Sequence, residues 1–372
     1  MSDVVRDRAA FEGLLSSVRT RIDGRLARLL EPRVVAAAQI SAEVGMAAEA
    51  LTDLALRGGK RMRAALIAAG YEAFAVTPPA ANGAASSWAV CEPAMMAVEL
   101  LQAYLLIHDD WMDDDDVRRG GPSVHVVLRE RLGSRVLGDA AAILAGDLAS
   151  GYAQDVLLET DLPPERVLRA ARAFARIQVE VVTGQLAEMH GTRSSASGSG
   201  REAAHGPSVE TIHALKTASY TVTGPLLLGA ALAGADDARS AELERFGRPL
   251  GIAFQLRDDL LGVFGDPSAT GKPVYNDIRQ GKRTALVAEL RGDTKAEELL
   301  ARVHGKGDAS DEDVEALVRA MVDSGARARV ESRVRELCGE ARGALELMAP
   351  AMSETGKQWL AGAVIALGER AS

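Results

Sequence analysis

Apolar and polar positions alternate with helical spacing along most of the chain. In the first segment the apolar positions, three or four residues apart, are Phe11, Leu14, Leu15, Val18, Ile22, Leu26, Leu29 and Leu30. This period predicts an amphipathic helix over residues 9–30, which Pro32 is expected to end. A second helix is predicted over residues 34–57, and a third begins after the Gly58-Gly59 pair.

Longer apolar runs continue the helical pattern through the middle and the end of the chain. Pro93 opens a run whose methionines and leucines are predicted to lie in the core. Further helices are predicted over residues 163–185 and in the segment 310–369. Aromatic residues make up only 4% of the chain, which favours helix over sheet.

One apolar run ends in a dense group of aspartates, in the stretch LLIHDDWMDDDDVRRGGPSVH. Residues four apart on a helix share a face, so Asp109 and Asp113 project side by side, with Asp110 close by. Mg²⁺ prefers such oxygen ligands and completes its shell with water and phosphate. Because Arg118 and Arg119 follow, the stretch predicts a site for metal plus polyphosphate. The alternative is a solvated acidic loop.

A second apolar run, GIAFQLRDDLLGVFGD, ends in the acidic pair Asp258 and Asp259. Lysines follow it at Lys272 and Lys282. The two acidic stretches share one plan, so a cleft with carboxylates on both walls, bridged by a metal-bound diphosphate, accounts for both.

The segment GGKRMRAALIAAGYEAF combines a glycine pair with three cations at the start of a predicted helix. Glycine allows close approach of the backbone to a ligand, and a helix N-terminus attracts anions. The segment is therefore a candidate anion site, with a basic surface turn as the alternative. It lacks the spacing of a P-loop.

These ordered blocks resemble the trans-isoprenyl diphosphate synthase family, the head-to-tail prenyltransferases that make farnesyl and geranylgeranyl diphosphates. The resemblance is carried by DDWMD, DVRRGGPSVH, FQLRDDLLGVFGD, TGK and DIRQGK and extends from Gly58 to Thr284. It implies an all-α fold, an isoprenoid synthase-type helical bundle with a central active-site cleft. The whole chain, residues 1–372, is predicted to form one polyprenyl synthase domain. Its Ser/Gly-rich segment at residues 192–207 is expected to be a flexible insertion.

The resemblance also implies three groups of site residues. Two or three Mg²⁺ ions would be held by Asp109, Asp110, Asp113, Asp258 and Asp259. The diphosphates of the two substrates would be bound by Gly59, Lys60, Arg63, Gln102, Arg118, Arg119, Lys272 and Lys282. The allylic diphosphate and the developing cation would be contacted by Lys216, Thr217 and Gln255. The substrates implied are isopentenyl diphosphate and an allylic prenyl diphosphate.

Three positions depart from the family pattern. Ala64 replaces a usual proline, and Glu188 replaces an aspartate in a G-Q-x-x-D element. Gly262 stands where the second acidic motif should have its last aspartate, and Asp266 is a conceivable substitute one turn on. Because the first two aspartates usually do most of the bridging, activity is expected to survive.

Product length is predicted from the residues before the first aspartate. Tyr104 precedes Asp109 by one and a half helical turns, roughly 7.5 Å along the axis. A growing tail anchored at the metals would meet this ring. A single aromatic, followed by Leu105, resembles the pattern of archaeal-type geranylgeranyl synthases, so a C20 product is predicted. The alternatives are a C15 farnesyl product and an ordinary core role for Tyr104.

Charge and composition narrow the remaining possibilities. The net charge of -9 disfavours a nucleic-acid surface, and two cysteines exclude a disulfide framework and fit a reducing cytoplasm. Two uncharged segments, residues 73–91 and 217–235, contain prolines and glycines and are predicted to be buried rather than to span a membrane. The resemblance implies a homodimer.

Two other classes compete with the synthase. A terpene cyclase would share the first acidic motif but would have no use for a second diphosphate site at Lys60 and Arg63. A non-catalytic diphosphate-binding regulatory subunit would explain Ala64 and Gly262 as decay, but the retained aspartate pairs argue against it.

Overall fold

The structure, a computed structural model, is a bundle of α-helices and describes residues 3–75, 87–196, 207–265, 275–290 and 293–369. The N-terminal part contains α1 (Asp3–Ile40), α2 (Ala42–Leu56), α3 (Met62–Phe74) and α4 (Glu92–Asp113), and α4 ends within the first acidic motif. A short hairpin of β1 (Val117–Arg118) and β2 (Gly121–Pro122) follows. Next come α5 (Val124–Leu132), α6 (Arg135–Leu158), α7 (Pro164–Ala196), α8 (Val209–His213), α9 (Gly224–Ala233) and α10 (Asp237–Phe264). The C-terminal part contains α11 (Asn276–Arg279), α12 (Ala285–Ala288), α13 (Thr294–Val303), α14 (Asp311–Asp323), α15 (Ala326–Met348) and α16 (Glu354–Gly368). The predicted all-α fold is confirmed.

The N-terminal helix is longer than predicted. The prediction that Pro32 ends it is wrong, since α1 continues to Ile40 and α2 begins at Ala42. Pro32 lies on the exposed side of the helix, so the carbonyl that it leaves unpaired is within reach of water. The break comes instead at Ser41, whose side chain accepts a hydrogen bond from Val44 N at 3.3 Å and caps α2.

The core is built around α4, α3 and α9. α4 packs against α6, and its apolar residues from Ala94 to Ile107 are mostly buried, as predicted. α3 crosses α9 where both helices carry glycine. A side-chain carbon at Gly70 would lie 2.2 Å from Leu226 O, and one at Gly229 would lie 2.1 Å from Ile67 O. The two backbones can therefore meet only because these positions lack a side chain.

A π-helix, residues Ala214–Thr223, separates α8 from α9. Its last bond runs from Gly224 N to Ser219 O, and Pro225 next to it has no N–H to continue an α-helical register. The wide coil packs against glycines of its neighbours. A side-chain carbon at Gly184 of α7 would lie 2.5 Å from Lys216 N, and one at Gly251 of α10 would lie 2.5 Å from Ala218 Cβ.

The predicted insertion at residues 192–207 begins within α7. α7 continues to Ala196, so the first part of the predicted insertion 192–207 is helical, and residues 197–206 lie outside the described ones. Extending an existing helix adds one hydrogen bond per residue, which offsets the weak propensities of serine and threonine.

Ser87–Asp113 is the one described helical stretch long and apolar enough for a membrane span, and 67% of its most apolar window is buried, as in a core helix.

Candidate active site

The first acidic motif lies at the end of α4. Asp109 and Asp113 are partly exposed on one face, whereas Asp110 is fully buried. Arg118 Nε donates to Asp110 Oδ1 at 2.6 Å, which ties the hairpin to the helix. Burial raises the pKa of Asp110, and the hydrogen bond from Arg118 opposes the rise. Asp110 is therefore the hydrogen-bond partner of Arg118, and the phosphate-binding role of Arg118 stays a prediction.

Cations and a left-handed turn relieve the crowding of aspartates. Asp114 ends α4 with φ +51, a conformation that aspartate tolerates better than most residues. Its carboxylate accepts a hydrogen bond from Arg129 Nη1 at 3.1 Å. Burial, with the charge of Asp109, raises the pKa of Asp113, and Lys282 and Lys216 oppose this rise. The acidic stretch is thus held by protein cations and is not a free solvated loop.

The second acidic motif lies on α10. Asp258 is exposed, while Asp259 is only 4% exposed. Asp259 Oδ1 accepts from Gln255 Nε2 at 2.8 Å, and Oδ2 accepts from Ala285 N at 3.2 Å. Burial is the main cause that raises the pKa of Asp259 to about 7, and the nearby Asp258 and Asp277 add to it. A cation bound next to this buried carboxyl group would favour its deprotonated form.

A chain of hydrogen bonds joins the π-helix to this carboxylate. Thr217 Oγ1 donates to Gln255 Oε1 at 2.8 Å, and Gln255 Nε2 donates to Asp259 Oδ1. His213, buried at the end of α8, places Nε2 3.6 Å from Asp259 Oδ2. Burial lowers the pKa of His213 to about 4, so its ring is neutral near pH 7. Two predicted catalytic residues, Thr217 and Gln255, are therefore in direct contact.

Lys216 links α7 to the first acidic motif. Its ammonium forms a short ion pair with Glu188 and lies 3.9 Å from Asp109 Oδ1. Burial disfavours the charge, but Glu188, Asp109 and Asp113 together outweigh it and raise the pKa of Lys216. The lysine is thus charged, and Glu188 is its anionic partner. Gln185, one turn earlier on α7, donates to Asp109 Oδ1 at 3.4 Å.

The glycine-rich segment forms a separate basic pocket. Arg63 donates to Gln102 on α4 and, at 2.9 Å, to Thr221 Oγ1 in the π-helix. Its guanidinium lies 4.1 Å from the centre of the Tyr220 ring. Arg63 and Gln102 were both predicted to bind one diphosphate, and the structure places them in contact. Tyr220 and Thr221 carried no motif signal, so sequence reasoning missed them.

Arg119 is the least compensated cation in this pocket. It lies beside Gly59, where a side-chain carbon would meet its Nη2 at 3.6 Å. Burial lowers the pKa of Arg119, and the charges of Arg61 and Arg63 add to this effect. Among the described side chains, no carboxylate forms an ion pair with Arg119, whereas Arg61 is paired with Glu99 at 2.8 Å. A half-buried guanidinium among others favours binding of an anion.

Two arginines that are not among the predicted substrate-binding residues hold this pocket in place. Arg57, after α2, donates to Pro122 O at 2.6 Å and to Arg118 O at 3.3 Å, which fixes the hairpin that carries Arg119. Arg61, in a left-handed conformation with φ 47, donates to Asp23 Oδ1 at 2.7 Å. Their signal in the sequence is only a charge next to glycine, which does not distinguish support from binding.

The segment after α10 reaches across to the first motif. Lys282 Nζ lies 3.8 Å from Asp113 and 3.7 Å from Asp277, and Gln280 Nε2 donates to Asp115 at 3.1 Å. A cavity of about 210 Å³ is lined by Asp113, Gln280 and Lys282 together with Gln185, Glu188 and Met189 of α7. Lys272 and Asp266 lie outside the described residues. The predicted Lys60 is exposed at the rim of the basic pocket.

Among the described residues, no three carboxylate, imidazole or thiol side chains converge on a ready-made metal cage. The donor set nevertheless fits Mg²⁺, because Asp109 and Asp113 share a partly exposed face and offer hard oxygen atoms. Mg²⁺ commonly takes one or two carboxylates and fills its shell with water and substrate phosphate. At such a site, water and a substrate phosphate would complete the shell of the metal ion.

Tyr104 lies beside the first motif rather than directly beneath it. Its ring meets the His108 ring edge-on, with centroids 4.7 Å apart and an interplanar angle of 83°. His108 in turn lies 3.2 Å from Ile143 O and packs on Gly146 of α6. Leu105, four residues before Asp109, lies on the same helical face as that aspartate. Tyr104 thus packs toward α6 through His108, and Leu105 shares the helical face of Asp109.

A larger cavity, about 340 Å³, lies behind the second motif, between α8, α12 and α15. Its walls include Arg329 and Arg333, which are paired with Glu289 and Glu210. Because these charges are already satisfied, the chemistry of the site is assigned to the smaller, carboxylate-lined cavity.

An all-α bundle that carries two aspartate motifs and a separate basic pocket is typical of enzymes that act on diphosphates. A family model described as polyprenyl synthetase matches residues 45–321. The chain belongs to the polyprenyl synthetase family.

Characterised relatives of differing product length resemble the chain almost equally. The geranylfarnesyl diphosphate synthase of Aeropyrum pernix is 34% identical over 281 residues, 72% of this chain and 79% of that one. The (2E,6E)-farnesyl diphosphate synthase of Mycobacterium tuberculosis is 34% identical over 284 residues, 74% of this chain and 70% of that one. A solved geranylgeranyl pyrophosphate synthase of Corynebacterium glutamicum, complexed with isoprenyl diphosphate and magnesium, gives a TM-score of 0.82 at 32% identity. It covers 96% of this chain and 99% of that one.

The predicted resemblance and the predicted enzyme class, a prenyltransferase, are confirmed by these matches. The individual roles of the site residues stay predictions, as does the single domain.

Proposed function

We propose that this protein is a Mg²⁺-dependent synthase that condenses isopentenyl diphosphate with allylic diphosphates to give geranylgeranyl diphosphate. The observation that carries the proposal is the pairing of two distinct sites. A carboxylate-lined cavity at Asp113 lies next to Lys216, and a basic pocket around Arg63 and Arg119 lies at the other end of the π-helix. Two diphosphates of different chemical roles need such a division.

The carboxylate side receives the allylic substrate. Bound Mg²⁺, held by Asp109, Asp113 and the Asp258 and Asp259 pair, would neutralise the leaving diphosphate. Lys216 is fixed by Glu188 next to Asp109 and adds a cationic donor to the same oxygens. On substrate binding, Lys216 would exchange its ion pair with Glu188 for the diphosphate oxygens.

The basic side orients isopentenyl diphosphate. Arg63, Arg119, Gln102 and Lys60 hold its diphosphate, so that its alkene carbon is directed at the allylic carbon. Thr217 and Gln255 present oxygen dipoles near the carbon that becomes positive, and their order is kept by the bond to Asp259. The closing step needs no side-chain base if the departing diphosphate takes the proton.

The C20 product is supported by two features. Tyr104 is the only aromatic in the two positions that usually set chain length. Leu105, at the second of these positions, is aliphatic and lies on the face of Asp109. The farnesyl product is the alternative, since a farnesyl synthase is as similar in sequence.

The test incubates purified protein with Mg²⁺, labelled isopentenyl diphosphate and, separately, C5, C10 and C15 allylic primers, and then sizes the dephosphorylated products. A C20 product supports the proposal. A C15 endpoint keeps the reaction but overturns the proposed length, and no elongation from any primer overturns the synthase.

The protein is further proposed to be a cytoplasmic homodimer. Both α6 and α7 expose large apolar residues, among them Leu137, Leu144, Val179 and Leu186. Exposed apolar residues grouped on neighbouring helices favour contact with a second chain. The cysteines Cys91 and Cys338 are free and buried, which suits a reducing compartment. Light scattering coupled to gel filtration measures the mass, and a monomer at micromolar concentration would contradict the dimer.

A further inference from the structure

The second acidic motif lacks its last carboxylate, because position 262 is glycine. Gly262 lies one helical turn beyond Asp258, on the same face of α10. A side-chain carbon built at Gly262 would lie 3.2 Å from Asp277 Oδ2. The space that a third aspartate would occupy is therefore taken by a carboxylate from another segment.

Backbone hydrogen bonds hold Asp277 in this place. Tyr275 N donates to Gly262 O at 3.1 Å, in a left-handed turn with φ 71, so the returning chain is fixed to α10 at the glycine itself. Lys282 N donates to Asp277 O at 2.9 Å, which closes the loop that contains α11. A side-chain carbon at position 262 would require the carboxylate of Asp277 to shift by only a few tenths of an ångström, whereas a full aspartate side chain would compete with it for the same space.

The charge of Asp277 acts on both sides of the cleft. It is one of the charges that raise the pKa of Asp259, so the two carboxylates are within electrostatic reach. Asp277 also lies 3.7 Å from Lys282 Nζ, which is 3.8 Å from Asp113 on the opposite wall. Asp277 thus stands between the second aspartate pair and the lysine that crosses to the first motif.

We propose that Asp277 supplies the third carboxylate of the second metal-binding motif, in the space left by Gly262, and orients Lys282 toward Asp113. In this arrangement Gly262 is not a sign of lost activity. The glycine leaves room for a carboxylate from the next segment. The inference rests on the proposed function, because it assigns a role toward the Mg²⁺ diphosphate.

The test exchanges the carboxylate between the two positions. The variants are Asp277→Asn, Gly262→Asp and the double variant Gly262→Asp/Asp277→Asn, with Gly262→Ala as the control for side-chain size. Melting temperature is measured against Mg²⁺ concentration in the presence of inorganic pyrophosphate, a readout that does not require turnover. Elongation of a C10 primer is measured in parallel as a function of Mg²⁺.

Asp277→Asn is expected to raise the Mg²⁺ concentration for half-maximal stabilisation by about tenfold, the scale for lost metal-site partners. Gly262→Asp alone is expected to melt lower without Mg²⁺, because two carboxylates would share one space. The double variant is expected to return to within about twofold of the parent, since the carboxylate count is restored. Gly262→Ala should remain near the parent.

Two results would overturn the inference. One is an Mg²⁺ dependence in Asp277→Asn that equals the parent's. The other is a double variant that is no better than Asp277→Asn, which would show that the carboxylate position is not exchangeable. A parent that shows no Mg²⁺-dependent stabilisation by pyrophosphate would instead overturn the proposed function, and the inference with it.

Discussion

Replacement of Asp259 by asparagine is expected to abolish elongation and yet stabilise the metal-free protein at neutral and alkaline pH. The side chain is 4% exposed, and burial raises its pKa from an ordinary 3.8 to about 7. Its carboxylate is charged above pH 7 in a place that water hardly reaches. The metal site is thus built at a cost in stability that only a bound cation offsets.

The sign and the size of the effect follow from proton linkage. A carboxyl with a raised pKa in the folded state gives stability below its unfolded pKa, and this stability is lost as pH rises through the folded value. At about 1.4 kcal/mol per pKa unit, the parent loses about 3 kcal/mol between pH 5 and pH 8. The amide of the Asp259→Asn variant does not titrate, so the difference in unfolding free energy shifts in favour of that variant by the same amount. The neighbouring His213, with a pKa of about 4, stays neutral throughout this range.

The assay is urea unfolding of parent and variant between pH 5 and pH 9 in the presence of EDTA. Asparagine can accept only one of the two hydrogen bonds from Gln255 and Ala285, a loss of about 1–3 kcal/mol that is equal at every pH. The change with pH, and not the offset, is therefore the measured quantity. Asp308→Asn, which removes an exposed carboxylate from a turn outside the site, is the control for the loss of one charge. A difference in unfolding free energy that stays constant with pH, or that shifts in favour of the parent as pH rises, would refute the reasoning.

Three further predictions concern product length, the basic pocket and the π-helix. Tyr104→Ala is expected to lengthen the main product by at least one C5 unit in the chain-length assay, and unchanged products would make Tyr104 an ordinary core residue. Arg61→Met should lower the unfolding free energy by about 3–5 kcal/mol, because it leaves Glu99 buried without its partner. Arg61→Met/Glu99→Gln should recover most of this loss in urea unfolding, and no recovery would show that packing dominates. Gly251→Val should cost about 1–3 kcal/mol by overpacking against the π-helix and should lower kcat. Gly151→Val, where the neighbouring space is open, is the matched control, and an equal loss there would contradict the packing argument.

The sequence predicted which residues gather, because ordered motifs on helix ends have a fixed local geometry. Asp109 and Asp113 share a face as the four-residue spacing requires. The pairing of Thr217 with Gln255 follows from the resemblance, since both were expected near one substrate. In these cases the helix period or the motif already specified the direction of the side chain.

The partners that complete the site were not predictable in the same way. The contact of Asp277 with position 262 and the support of the hairpin by Arg57 depend on how distant segments return to α10 and α2. Charge alone does not distinguish a supporting arginine such as Arg61 from a binding one such as Arg119. The continuation of α1 past Pro32 was missed for another reason, because the cost of a proline depends on whether its unpaired carbonyl reaches water.

The π-helix at Ala214–Thr223 places a constraint on the length of the chain. It carries Lys216 and leads directly into α9. The contact of α9 with α3 at Gly70 and Gly229, the glycine seam, fixes the rotation of α9. If the number of residues per turn stayed constant, loss or gain of a single residue in this segment would rotate Lys216 relative to the α9 seam by about 100°. Either the lysine or the seam would then face the wrong neighbour. We therefore expect this segment to tolerate neither an insertion nor a deletion unless the coil itself changes its number of residues per turn.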